Sequence, residues 1–383
     1  MKQQLAILGS TGSIGVQTLD IVRENPDRFE ARILTAHRNW QRLAEQARAF
    51  DADTVVIADK NYYTQLCEAL ADTDTKVYAG EEAVAQIVGS SSADVVVNAL
   101  VGYAGLAPTL ATLKAGKKLA LANKESLVVG GELVMRLAAE KQVPILPIDS
   151  EHSAIFQCLV GERAPIRRLI ITCSGGAFRN LECSQLANVT VEQALQHPQW
   201  TMGDKITIDS STLVNKGFEV IEAHWLFGIP AEQIAVILHP QSIVHSMVEF
   251  EDGAIKAQLG SPDMHMPISY ALMFPDRAVR PMEQFDFLSH PQLTFEAVDR
   301  MKYPALDIAY DCLHRGGTAA CTMNGANEIA VAAFLAHRNS WLDIVRAIEY
   351  ALTHATFITS PTEEDYAAID KESRRLASEF LNK

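Results

Sequence analysis

The chain has 383 residues, 48% hydrophobic and 21% charged, with a formal net charge of −14 at pH 7. That balance belongs to a folded chain able to bury sizeable cores, in two or three domains at roughly 100–200 residues each. The acidic excess argues against nucleic acid or an anionic membrane as partner, since both need clustered Lys and Arg, whereas a small anion held by a few basic groups and N–H donors in one cleft is compatible with it. Cys67, Cys158, Cys173, Cys183, Cys312 and Cys321 are scattered with no C-x-x-C pair, which suits a reducing compartment. No apolar run reaches the roughly 18 residues of a membrane span, and the first residues run straight into a strand pattern with no signal-peptide anatomy, so a cytoplasmic protein is expected.

In chain order, short apolar runs at 5–8, 31–34, 54–58, 94–100, 118–122 and 143–147 alternate with longer amphipathic stretches. This pattern predicts a Rossmann-type, doubly wound parallel sheet with helices on both faces, over residues 1–149. Asn25-Pro26 closes its first helix, and Pro108 suits a first helical turn. Between 150 and 273, strand-like runs at 167–173, 234–238 and 243–250 mix with helices and Gly- or His-bearing loops, which predicts a central α+β domain. Residues 274–303, punctuated by Pro275, Pro281 and Pro291, read as a linker. Residues 304–383 read as a small C-terminal helical domain, with helices near 305–315, 318–337, 340–353 and 362–381.

The stretch Gly9-Ser10-Thr11-Gly12-Ser13-Ile14-Gly15 follows an apolar strand and opens a helical pattern. Glycines there let the backbone approach a pyrophosphate at a helix N-terminus, although the spacing is G-x-x-G-x-x-G and a plain glycine turn is the competing reading. A site for NAD usually has Asp or Glu at the end of the second strand to bond the ribose 2′-OH; here stand His37, Arg38 and Asn39. Arg38 suits a 2′-phosphate, so NADPH is expected, against the alternative that Arg38 begins a solvated helix.

Asp149, Ser150 and Glu151 follow the last apolar run of the sheet, at the carboxyl end where open α/β sheets place ligands. In an extended segment Asp149 and Glu151 point to one face, and two such carboxylates call for a hard cation, Mg²⁺ or Mn²⁺. The alternative is an N-cap Asp followed by a first-turn Glu. A helix read from about Ser211 has Val214, Phe218, Ile221 and Trp225 on a buried stripe and Asn215, Glu219 and Glu222 on a polar one, with Lys216 one residue round. That stripe is either part of a site or a solvated acidic face. Gly217 in mid-helix costs about 1 kcal/mol relative to Ala and marks a close approach by a ligand or by backbone.

Five ordered motifs, LGSTGSIG at 8–15, LANKESLV at 121–128, PIDSEHSAIFQ at 147–157, NKGFEVIEAHWLF at 215–227 and HPQSIVHSMVEF at 239–250, resemble the 1-deoxy-D-xylulose 5-phosphate reductoisomerase family over essentially the whole chain. The resemblance implies conversion of that phosphorylated sugar to 2-C-methyl-D-erythritol 4-phosphate on the non-mevalonate route, with 150–273 as the catalytic domain and a homodimer as the assembly. It implies Asp149, Glu151 and Glu219 as ligands to Mg²⁺, Mn²⁺ or Co²⁺, with Lys124 and Ser150 at the substrate's hydroxyl and carbonyl end. Ser174, His197, Ser210, Asn215 and Lys216 surround the substrate, several of them at its phosphate. A mobile flap over 197–203 carries Trp200 as a cover. Thr11, Gly12, Ser13, Ile14, Arg38, Asn39, Asn123, Glu125 and Gly203 line the NADPH site. His37, Phe218 and Cys173 depart from the residues common in the family at those places. Two other readings compete: a semialdehyde-type NADP-dependent dehydrogenase with Cys173 as nucleophile, which would need no metal, and a non-catalytic NADP-binding sensor.

Overall fold

The computed structural model describes residues 2–200, 202–278 and 285–382. The alternation of apolar runs and amphipathic stretches folds into β1 (Gln3–Leu8), α1 (Ser13–Glu24), β2 (Phe29–Ala36), α2 (Trp40–Phe50), β3 (Thr54–Ile57), α3 (Tyr63–Ala69), β4 (Lys76–Ala79), α4 (Glu81–Ser90), β5 (Val95–Asn98), α5 (Leu106–Lys114), β6 (Lys118–Leu121), α6 (Glu125–Lys141) and β7 (Ile145–Pro147). The strands form one parallel sheet in the order β4-β3-β2-β1-β5-β6-β7. The order reverses between β1 and β5, so the loops after these two strands flank the crevice where doubly wound sheets take their ligands. Central strands such as Val95–Asn98 are buried along their whole length, as expected with helices on both faces. The sequence pattern does not reveal β4, because this four-residue edge strand is half exposed and carries only a brief alternation.

The remaining elements are α7 (Ser150–Leu159), β8 (Ile166–Cys173), α8 (Val191–Ala194), α9 (Asp204–Thr212), α10 (Val214–Phe227), β9 (Ile234–Leu238), β10 (Val244–Phe250), β11 (Ile255–Leu259), α11 (His265–Met273), β12 (Glu296–Ala297), α12 (Pro304–Arg315), α13 (Ala319–Leu335), α14 (Trp341–His354) and α15 (Glu363–Leu381). The second sheet is mixed, in the order β11-β10-β8-β9-β12, with β8 and β9 parallel. The fold is therefore α/β, with a Rossmann-type parallel sheet, a second mixed sheet and a helical C-terminal part, as expected from the sequence. The chain divides into two compact units: residues 1–126, 134–153 and 264–280 in the first, and 127–133, 154–263 and 281–383 in the second. Residues 264–280 cluster with the first unit because α11 packs on α1, where His265 Nε2 lies 3.6 Å from Asp20 Oδ2. Of the stretch read as a linker, 279–284 lie outside the described residues, and Glu296–Ala297 pair with β9.

In the second unit, one face of the sheet buries Leu169, Ile171, Val236 and Val248 against Val220 and Ala223 of α10 and Leu306 of α12. A separate core joins Val214, Phe218 and Ile221 of α10 to Met323, Ala330, Ile344 and Leu376 of the C-terminal helices. The close approach marked by Gly217 is a helix: a Cβ there would lie 2.7 Å from the Cβ of Ala309 on α12. Gly217→Ala gains about 1 kcal/mol of helix propensity but overpacks this crossing at a cost of about 1–3 kcal/mol. A lower urea midpoint is expected, and a raised one would show that α12 yields freely. Among the described residues no helix is long and apolar enough to cross a membrane.

Candidate active site

The glycine turn after β1 is built around backbone contacts that exclude side chains. Gly9 has φ +80°, and a Cβ there would meet the Ala99 carbonyl oxygen at 2.7 Å; at Gly15 it would meet the Gly9 oxygen at 2.3 Å. Only glycine fits either place. Beneath the turn, buried Ser10 donates its N–H to the Thr35 carbonyl (2.8 Å) and its hydroxyl to Gln46 Oε1 (2.7 Å), while Gln46 Nε2 donates back to the Ser10 carbonyl (2.9 Å). Gly12 is the N-cap of α1 and supplies no side-chain cap; it and Ser13 are exposed, with Thr11 and Ile14 half-buried. A helix start of this kind offers its N–H groups and positive dipole end to an anion.

Arg38 and Asn39 stand just past β2. Arg38 Nε donates to Asp59 Oδ2 at 2.9 Å, and the Asn39 side chain caps α2 by accepting from the Arg42 N–H at 3.1 Å. Asn123 is buried, and its amide is spent on its own surroundings. Nδ2 donates to the Leu100 and Gly102 carbonyls and to Glu125 Oε2, each at 3.0 Å, and Oδ1 accepts from Ser126. Asn123 and Glu125 thus hold the loop after β5.

Lys124 is 5% exposed, and its Nζ donates to Asp149 Oδ2 at 2.5 Å. The extended geometry expected for 149–151 does not occur. α7 begins at Ser150, and the Asp149 carbonyl accepts from the Ser153 N–H at 2.8 Å, so Asp149 sits at the helix N-cap and Glu151 in the first turn. The capping alternative describes the local structure, because a short polar Asp ahead of a helical pattern can accept from the N–H groups that a helix start leaves open. The Ser150 N–H donates to Asp149 Oδ1 (3.1 Å) and the Ser150 hydroxyl to Glu151 Oε2 (2.6 Å). Asp149 and Glu151 still present one carboxylate oxygen each within 4.8 Å of one another. Burial works to raise the Asp149 carboxyl, but the Lys124 ammonium and then His152 outweigh it and hold the group well below the usual carboxylate range. Buried His152, with Nδ1 3.5 Å from Asp149 Oδ2, was not singled out from sequence; its place at i+3 from Asp149 on a helix is the signal that would have found it.

In the second unit, the helix expected from Ser211 is two helices. The hydroxyls of Ser211 and Thr212 bond back to the Ile208 and Asp209 carbonyls, and Leu213 takes a left-handed conformation, φ +58°. Burying the Leu213 side chain in the sheet's core offsets a strain of about 1–2 kcal/mol. After this break Asn215, Lys216 and Glu219 project from the first turns of α10. Asn215 Nδ2 donates to Glu219 Oε1 at 2.6 Å and Lys216 Nζ pairs with Oε2. Glu219 and Glu222 are fully buried, so the polar stripe is not a solvated face.

The turn after β8 and the segment before α9 form a second cluster in this unit. Nδ1 of His197 accepts from the backbone N–H groups of Gln199 (3.2 Å) and Trp200 (2.9 Å), so the ring proton lies on Nε2 and is donated to Ser174 Oγ, 3.0 Å away. Gly176 (φ +68°) brings this turn against α9, where a Cβ would lie 2.6 Å from the Ser210 carbonyl oxygen. Trp200 is half-buried with its ring 6.1 Å from that of His245, Gly203 is the exposed N-cap of α9, and Thr201 lies outside the described residues.

Residues 5–131 match the family model for 1-deoxy-D-xylulose 5-phosphate reductoisomerase, residues 145–227 that for its C-terminal domain, and residues 259–376 that for the DXP reductoisomerase C-terminal domain. The chain belongs to the 1-deoxy-D-xylulose 5-phosphate reductoisomerase family. It is 53% identical over 381 residues to the reductoisomerase of Bacteroides thetaiotaomicron, covering 99% of this chain and 98% of that one. Among solved structures it is similar to the Zymomonas mobilis reductoisomerase in complex with NADPH, at 45% identity and TM-score 0.92 with both chains fully covered. It is also similar to a DOX-P reductoisomerase in complex with NADPH, fosmidomycin and magnesium, at 39% identity and TM-score 0.95 over 99% and 98% of the two chains.

As a member of the reductoisomerase family the chain is not a thiol dehydrogenase. Cys173 is buried within β8 with its Sγ directed to the Ile237 carbonyl at 3.5 Å, which is no setting for an accessible nucleophile. His239, to which no role falls from sequence, is a loop organiser. Its Nε2 accepts from the N–H groups of Ile243 and Val244, and its Nδ1–H donates to the Thr294 carbonyl.

Proposed function

We propose that the chain catalyses the NADPH- and divalent-metal-dependent rearrangement and reduction of 1-deoxy-D-xylulose 5-phosphate to 2-C-methyl-D-erythritol 4-phosphate, on the route to isoprenoid precursors. The observation that carries this reading is the buried Lys124–Asp149 pair set beside Glu151 at the carboxyl end of the parallel sheet. Asp149 and Glu151 have the donor chemistry of a hard-cation site, carboxylate oxygens close together, and Glu219 is the third ligand on family grounds. Mg²⁺ or Mn²⁺ fits such a set, with Co²⁺ also admitted. The cation supplies Lewis-acid polarisation of the sugar oxygens and NADPH supplies the hydride.

The chain's own residues do the positioning. Lys124 keeps a proton donor and a positive charge against the carboxylates, and Ser150 adds a hydroxyl there. Ser174, His197, Ser210, Asn215 and Lys216 surround the substrate, several of them at its phosphate, whose remote binding energy orients the carbon skeleton. Trp200, carried by the 197–203 segment, covers the substrate and excludes water from the aldehyde before reduction. Thr11, Gly12, Ser13, Ile14, Arg38, Asn39 and Gly203 bind NADPH, with Asn123 and Glu125 acting through the loop they hold. A cytoplasmic homodimer is the assembly we expect, in keeping with the family and with six cysteines that form no disulfide.

NADPH oxidation tests the reading. Consumption should require both 1-deoxy-D-xylulose 5-phosphate and Mn²⁺, stop with EDTA, return with added Mn²⁺ and withstand iodoacetamide. Turnover indifferent to EDTA would overturn it.

A further inference from the structure

Strands β2 and β3 pair in parallel, with Ala36 opposite Ile57, so the residues just past their carboxyl ends are neighbours. There Arg38, 67% exposed, meets Asp59, 15% exposed, through the 2.9 Å Nε–Oδ2 bond. Asp59 is itself pinned: Oδ1 accepts from the Asn61 N–H at 3.1 Å, and its own N–H donates to the His37 carbonyl at 2.9 Å. The Asn61 N–H and then Arg38 hold its carboxyl below the usual range, so both oxygens act as acceptors. A guanidinium held through Nε presents its opposite edge, and Nη1 and Nη2 of Arg38 take no partner among the described residues. That two-pronged edge matches the oxygens of a phosphate. A second guanidinium comes from the first turn of α2, the helix that Asn39 caps. Arg42, whose backbone N–H is bound by Asn39, extends Nη1 to the Thr11 carbonyl in the glycine turn at 3.4 Å.

We propose that Asp59 is the positioning residue that aims Arg38 at the 2′-phosphate of NADPH, and that Arg42 is the second cation of that subsite, so that the two set the preference for NADPH over NADH. This rests on the reading of the glycine turn as the NADPH site. A lone exposed ion pair contributes little to stability, so the role of Asp59 lies in orientation. Its negative charge does not defeat phosphate binding, because Arg38 and the Asn61 N–H compensate it and solvent screens what is left over about 8 Å.

Calorimetric titration of the full-length protein with NADPH and with NADH, without substrate or metal, separates the possibilities. Asp59→Ala is expected to weaken NADPH about 10-fold and NADH less than about twofold. Asp59→Asn keeps an acceptor for Nε and should lose less than about threefold. Arg42→Gln should weaken NADPH about 10-fold, flatten its salt dependence and spare NADH. Unchanged or tighter NADPH binding by Asp59→Ala would make Asp59 a competing anion and overturn its part. Equal losses for both nucleotides in Arg42→Gln would make Arg42 a brace for the turn and overturn its part. If Arg38→Ala binds NADPH normally, the nucleotide-site reading itself fails, whatever the Asp59 variants do.

Discussion

Glu151→Gln is expected to lower kcat by at least roughly 10²–10³-fold at saturating Mn²⁺ while leaving NADPH affinity within about twofold of the parent. The substitution keeps the side chain's shape and an oxygen that can still accept from the Ser150 hydroxyl, so the start of α7 should stay folded. What it removes is one negative charge from a pair of carboxylates whose oxygens lie within 4.8 Å of each other. The remaining carboxylate, Asp149, already shares its charge with Lys124, so the variant holds a dication poorly. Steady-state kinetics across a Mn²⁺ titration, with calorimetric NADPH binding as the control for folding, measures both halves of the expectation. Near-parental kcat at saturating metal would remove Glu151 from the proposed ligand set.

Lys216→Met is expected to cost about 3–5 kcal/mol of stability, because it removes a paired ammonium from a buried carboxylate. The side chains of Lys216 and Glu219 are 4% and 1% exposed, so solvent does not screen the loss. Asn215 still donates to Oε1, but a neutral hydrogen bond does not replace the positive charge that is lost. Urea unfolding of the metal-free protein measures the cost. The double variant Lys216→Met/Glu219→Gln should regain part of it, since the charge goes with its partner. An unchanged unfolding free energy in the single variant would mean that Glu219 takes up a proton at little cost and that the ion pair is not what holds the start of α10.

The amphipathic periods were legible because helix and strand patterns are local. The C-terminal helices run at Pro304–Arg315, Ala319–Leu335, Trp341–His354 and Glu363–Leu381, close to the periods read from sequence. Less local features were hidden. The edge strand β4 has too few buried residues to announce itself, and the break at Leu213 depends on a core that only the folded chain supplies. Residues 149–151 lay on the border between a strand end and a helix start, and hydrogen bonding of the Asp149 carbonyl to Ser153 decided for the helix.

By itself the sequence determined the strand–glycine turn–helix at 9–15, the placing of carboxylates just past a strand and in a helix, and the motifs that assign the family. Each of these is a matter of residue type and short spacing, which the chain carries before it folds. Tertiary structure alone decided how those groups are charged and held. It buried Glu219 and Glu222 on what reads as a polar stripe, set Lys124 against Asp149 across 25 residues, and clasped Arg38 to Asp59 across two strands. Ion pairs between distant residues depend on strand order and burial, and neither is written in the spacing of the residues that make them.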